Sequence, residues 1–205
     1  MRATFFVLGK NLEGASLGGD PGRAAALAAR ALREGHVLGN HTMTHSAELR
    51  VNELLSEVEM CDALLHRAGV DPSFQPAIPV RLPFGPYRPN GAQLLEALEA
   101  LGRPHFHWTV DPGDWRPGRS AHEIAAATIA RVEAQWQQSR LPVVLLHDAS
   151  EDTGTAAEPR AARRDATVDA VDRLCAWLTE RAARCVRALE MPAPRVIAPP
   201  SPPHG

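Results

Sequence analysis

Short, continuous apolar runs alternate with longer amphipathic stretches along nearly the whole chain, and this alternation constrains the fold more than any other feature. The runs at 4–8, 78–82, 106–110 and 142–146 lack the polar alternation of a half-exposed strand. They read as strands buried on both faces, each ending in polar residues that can carry chemistry. A further short strand is expected near 185–189. Strands separated by helices argue for an α/β fold with a parallel sheet or barrel.

The intervening stretches carry helix punctuation. Asp20-Pro21 places a capping side chain before a proline at the first helical position, with Leu27, Ala28, Ala31 and Leu32 expected on the inward face and Gly35 as the stop. Asn52 is the expected cap of a second helix with Leu54, Val58, Cys61 and Leu65 on one stripe. A third spans 91–101, closed by Gly102. Ser120-Ala121-His122-Glu123 has the capping-box form and opens a helix with Ile124, Thr128, Val132 and Trp136 on one side. The last, near 162–181, is expected to turn Val168, Val171, Leu174 and Leu178 inward.

At 205 residues the chain suffices for one core and is read as one domain over 1–190 with a Pro-rich tail over 191–205. Residues 151–164 read as a polar loop. Twenty-two basic residues against 24 acidic ones leave a formal charge of −2, which gives no footprint for nucleic acid or an anionic membrane. No apolar run reaches the length of a membrane span, and the opening residues are too short for a signal peptide. Localisation stays open. Cys61, Cys175 and Cys185 have no metal-site spacing, and their odd number argues for reduced thiols rather than a disulfide framework.

The chemistry centres on His41 and His45, in Gly39-Asn40-His41-Thr42-Met43-Thr44-His45. On one turn of helix such a spacing puts both imidazoles on one face, within reach of a single metal ion. Thr42 and Thr44 can bond nearby backbone and fix the rings. Three more segments follow: Arg81-Leu82-Pro83-Phe84-Gly85, Asp111-Pro112-Gly113-Asp114-Trp115, and Val143-Val144-Leu145-Leu146-His147-Asp148.

In that order, and preceded by Ala3-Thr4-Phe5-Phe6-Val7-Leu8-Gly9, these segments resemble the polysaccharide deacetylase family, carbohydrate esterase family four. The resemblance runs over about 3–189. It implies a metal-dependent N- or O-deacetylase on a distorted (β/α) barrel with fewer than eight strands. It further implies His41 and His45 as metal ligands, with zinc favoured and cobalt or nickel acceptable. The family's third ligand and its catalytic base come from a Thr-Phe-Asp-Asp-Gly segment ending the first strand. No such segment occurs here, so the first β/α unit is expected to be missing, through truncation rather than adaptive loss.

The resemblance assigns the remaining roles. His147 is the general acid, and Asp114 pairs with it and favours its charged form. Arg81 holds the family's catalytic aspartate, the backbone N–H of Phe84 is an oxyanion donor, and Trp115 and Leu145 wall the acetyl methyl. His36, His105 and His107 read as structural; His66, His122 and His204 read as solvent-facing. The chain as written is expected to be weakly active or inactive, and an open barrel edge to favour self-association. The rival reading is a catalytically silent carbohydrate-binding or regulatory domain that has lost its base. Peptidoglycan, chitin oligomers, acetylated xylan and a small N-acyl compound all stay open as substrates. Tyr87, Trp108, Trp115 and Trp136 are the candidates for stacking on sugar rings.

Overall fold

A computed structural model describes residues 1–14, 19–86, 89–148 and 164–191. Tyr87, residues 151–163 of the polar loop and the tail beyond Met191 lie outside the described residues. The chain divides into two compact units, one of Arg2–His107 with the segment from Cys185 onward, the other of Trp108–Arg184 with Met1.

The first unit opens with strand β1 (Thr4–Val7), a four-residue helix α1 (Gly9–Leu12), helix α2 (Pro21–Arg33) and strand β2 (Val37–Asn40). β1 and β2 pair in parallel from Thr4 opposite Val37 to Val7 opposite Asn40, so α2 is a crossover helix of a βαβ unit. Helices α3 (Val51–Arg67) and α4 (Gly91–Ala100) follow. Parallel bridges from Asn40 to Val80 and from Val80 to His105 carry the sheet onward.

Most of the apolar runs therefore contribute single bridges rather than full strands, and the prolines explain it. Asn40 N–H donates to Pro79 O, and Val80 N–H donates to Pro104 O, each at 2.8 Å. Pro79 and Pro104 can accept but have no N–H to return, so each ladder stops after one exchange. β2 escaped the sequence reading because it is four residues long and contains Gly39 and Asn40, which lower strand propensity. Gly39 is required there. A Cβ would meet the Phe6 ring at 2.7 Å and Pro79 O at 2.9 Å. Gly39→Ala is thus expected to destabilise the protein by about 1–3 kcal/mol, the usual result of overpacking, as read by urea denaturation.

Two apolar clusters fill this unit. Leu12, Leu38, Met43, Cys61 and Leu65 belong to one, and Leu54, Val58, Val80, Leu94 and Leu98 to the other. The α3 stripe is buried as its spacing predicts, but Arg50, not Asn52, is the N-cap, and its N–H donates to Glu53 Oε2 at 2.8 Å. In α2 the Asp20 cap is present, accepting from Arg23 N, while Leu27 is turned out and only Ala24 and Ala28 are fully buried. The expected strand near 185–189 is instead a loop ending in a 3-10 turn at Ala188–Glu190. Side chains hold it rather than a ladder: Arg187 Nη1 donates to Gly35 O at 3.0 Å, and Thr4 Oγ1 accepts from Ala188 N at 2.9 Å.

The second unit comprises helices α5 (Ala121–Gln137) and α6 (Asp165–Glu180) with one parallel bridge, Val110 to Val144. Ser120 and Glu123 form the capping box, with Ser120 N–H donating to Glu123 Oε2 at 2.8 Å. Ile124 and Ala125 pack on Ala170 and Leu174. The inward stripe of α6 runs through Thr167, Ala170 and Leu174; Leu174 is buried as expected, Val171 and Leu178 are half-buried, and Val168 is exposed. Among the cysteines only Cys61 is a packed thiol; burial pushes it up to about 12, while Cys175 is half-buried and Cys185 exposed.

Candidate metal site and acid pair

β2 ends at Asn40, and His41 to His45 form a loop, not the helical turn assumed from their spacing. Thr42 and His45 take φ of 70° and 64°, the left-handed region that a helix excludes. Such positions are strained by roughly 1–3 kcal/mol each and persist where surroundings over-determine them. Here they are over-determined. Buried Asn40 accepts from Thr42 N–H at 2.8 Å through Oδ1 and donates through Nδ2 to Val58 O and Asp62 Oδ1. Asp62 is in turn paired with Arg103. Glu57, on α3, accepts from the N–H groups of Met43 and Thr44, both at 3.1 Å, and from the Thr44 hydroxyl. Lys10 Nζ donates to Thr44 O, and Thr42 Oγ1 accepts from His45 N–H.

His41 Nδ1 lies 2.7 Å from Arg81 O. A carbonyl only accepts, so Nδ1 carries the proton and Nε2 keeps the lone pair that a metal would take. The His45 ring centroid is 4.8 Å from that of His41, and Phe84, itself at φ 58°, packs its ring 4.6 Å from His45. Two imidazoles held in this way fit a divalent metal such as zinc. Among the described residues, however, no group of three or more His, Cys, Asp or Glu side chains is placed to hold a metal ion.

Arg81 is buried, which lowers its pKa to about 10. Its Nε donates to Phe106 O at 3.0 Å, and its guanidinium carbon lies 4.2 Å from the Phe6 ring centroid. His105 and His107 are each depressed to about 4, by burial first and by neighbouring positive charge second, so both fold neutral. The unfolded chain takes those protons from about pH 6.5 downward. Stability is therefore full above 6.5 and lost as pH falls toward 4. His105 contributes about 3 kcal/mol to that loss, and His107, closer to solvent, less. Urea unfolding at pH 7 and pH 4.5 should show the fall.

In the second unit, Asp111 Oδ1 accepts from Gly113 N–H at 2.8 Å, and the loop turns through Gly113 at φ 69° to present Asp114. The Asp114 side chain is wholly buried, and His147 approaches it twice: N–H to Oδ2 at 2.8 Å and Nδ1 to Oδ1 at 2.9 Å. Burial alone would raise the Asp114 pKa, but the hydrogen bonds and charge of His147, with a bond from Thr167, outweigh it and hold the carboxyl below its ordinary value. Trp115 is exposed with Arg116 over its ring, and Leu145 is buried. The structure thus brings His41, His45, Phe84 and the Arg81 backbone together in the first unit, and Asp114 with His147 in the second. Glu57, Asp62 and Thr167 were missed, because none stands in a motif whose spacing announces it, and Asn40, inside the histidine motif, was given no role.

A sequence model described as polysaccharide deacetylase matches residues 1–102. A chitooligosaccharide deacetylase of Bradyrhizobium sp. (strain ANU 289) is 31% identical over 183 residues, covering 87% of this chain and 73% of that protein. A peptidoglycan-N-acetylglucosamine deacetylase of Bacillus cereus is 35% identical over 127 residues, which is 60% of this chain but only 40% of that relative's length. Among solved structures, the Bc1960 peptidoglycan N-acetylglucosamine deacetylase superposes with a TM-score of 0.67 at 26% identity, over 93% of this chain and 74% of the other. BA3943 of Bacillus anthracis, described as a CE4 family pseudoenzyme, has a TM-score of 0.63 at 18% identity, over 93% of this chain and 55% of that one; the likeness is one of fold alone. These matches define an α/β fold of the carbohydrate deacetylase type. The chain belongs to the polysaccharide deacetylase family, carbohydrate esterase family four.

Proposed function

We propose that this protein is a metal-dependent hydrolase, built on the family's distorted (β/α) barrel, that removes acetyl groups from N- or O-acetylated carbohydrate. The observation that carries this is the His41 Nδ1 contact to Arg81 O, which orients an imidazole as a ligand beside a second one. N-acetylglucosamine-containing glycans are the favoured substrates, in keeping with the chitooligosaccharide and peptidoglycan deacetylases among the relatives. Bound at His41 and His45, zinc would supply Lewis-acid polarisation of the scissile carbonyl and activation of water. Asp114 keeps the Nδ1 proton on His147, so Nε2 is the atom that delivers a proton to the departing amine or alcohol. The Phe84 N–H serves the oxyanion, Trp115 and Leu145 the acetyl methyl, and Arg81 supports His41 through its carbonyl.

One position in this scheme has no residue here: the sequence contains no Asp-Asp pair. The rival reading is a catalytically silent carbohydrate-binding or regulatory domain. Acetate release from chitin oligosaccharides and peptidoglycan fragments, measured in a form carrying a Thr-Phe-Asp-Asp-Gly strand ahead of Ala3, separates the two. The enzyme reading requires release that EDTA stops, zinc restores and His41→Ala loses. Retention of chitin oligosaccharides on the protein, with no acetate formed at any zinc concentration, would replace it with the silent one.

A further inference from the structure

Thr167, near the start of α6, is buried at 4% exposure, and its hydroxyl donates to Asp114 Oδ2 at 3.1 Å. The threonines Thr128 and Thr179 behave otherwise. Each bonds the carbonyl four residues earlier in its own helix, Ile124 O and Cys175 O, both at 2.8 Å. That is the habit of a helical threonine, and it serves only the helix. Thr167 reaches across 53 positions of sequence to a wholly buried carboxylate.

The geometry gives this bond a task. Oδ2 accepts from both Thr167 and His147 N–H, which fixes the rotation of the carboxylate and turns Oδ1 to His147 Nδ1. We propose that Thr167 is a positioning residue for the acid pair, holding Asp114 as a buried anion and thereby keeping the proton on Nδ1 of His147. The proposal rests on the reading of His147 as general acid. Among the described residues, the titratable or charged groups bonded to Asp114 are His147 and Arg164, whose Nη1 donates to Asp114 O at 3.4 Å; Asp111 and Arg116 share its loop, and Asp148 adjoins His147 in sequence. Because no solvent reaches the Asp114 side chain, a lost hydroxyl is not replaced by water. In the paired titration, protonation of Asp114 then becomes easier.

The test is an NMR titration of the labelled 205-residue chain, following the Asp114 carboxyl carbon and the His147 ring nitrogens. Thr167→Val is expected to move the Asp114 midpoint to higher pH and weaken the Nδ1–H signal of His147, while Thr167→Ser restores the parent behaviour. Thr128→Val removes an equally buried hydroxyl from the same unit and should leave both signals in place. Should valine not be accommodated, Thr167→Ala gives the same readout. An Asp114 midpoint unmoved in the Thr167 variants, or moved as far by Thr128→Val, overturns the positioning role. Acetate release indifferent to His147→Ala in a form carrying the aspartate pair would instead overturn the acid reading, with the titration result left standing.

Discussion

A form of the protein carrying a Thr-Phe-Asp-Asp-Gly strand ahead of Ala3 is expected to release acetate about 10²–10⁴-fold faster than the 205-residue chain, the usual contribution of a general base. Two separate contributions are expected from the added aspartates. Two imidazoles and a carboxylate hold a divalent metal more tightly than two neutral imidazoles, and the second carboxylate can take the proton of water. Zinc affinity, read by competition with a chelator, should therefore rise together with the rate. Equal rates from both forms would mean that the base is already present. Asp111 and Asp148 are the carboxylates nearest the motifs, and they differ: Asp111 Oδ1 is engaged by Gly113 N–H, whereas Asp148 is exposed. Asp148→Asn and Asp111→Asn would then separate them.

The fold was legible where a pattern repeats. Continuous apolar runs alternating with capped helices led to a parallel α/β arrangement, and the Asp20 and Ser120 caps stand where their residues place them. The extent of the strands was not legible. Pro79 and Pro104 alternate with pairing residues, and their effect depends on which neighbour each carbonyl meets. One expected inward position in each of α2 and α6 was misjudged for a related reason. Small or hydroxylated residues, Ala24 and Thr167, take the inward positions that hydrophobicity assigned to Leu27 and Val168. In the candidate site, spacing suggested a helical turn for His41 and His45. The backbone instead passes twice through the left-handed region, held by Asn40 and Glu57, partners whose contribution arises from contacts distant in sequence.

His147→Ala, made in a form that carries the aspartate pair, is expected to lower the rate of acetate release by roughly 10²–10⁴-fold while leaving zinc affinity unchanged. Zinc affinity is untouched because His41 and His45, not His147, are the proposed ligands. Asp114→Asn is the sharper substitution. The carboxylate accepts at both oxygens, from His147 Nδ1, His147 N–H and Thr167, whereas an amide can accept at only one. If the amide oxygen keeps His147 N–H and Thr167, its NH₂ faces Nδ1 and drives the ring to the opposite tautomer, with the proton on Nε2 and no charge held nearby to favour the imidazolium. If the amide flips, its NH₂ meets the His147 N–H, another donor, and only the Thr167 hydroxyl can turn to accept, which costs about 1–3 kcal/mol for the group left unsatisfied. Either arrangement impairs proton delivery, so Asp114→Asn should approach the rate of His147→Ala. The double variant should then be little slower than either single one, because the two residues act as a unit. Losses that multiply in the double variant would show instead that Asp114 and His147 act independently, and the 2.9 Å contact between them would carry no part of the acid's function.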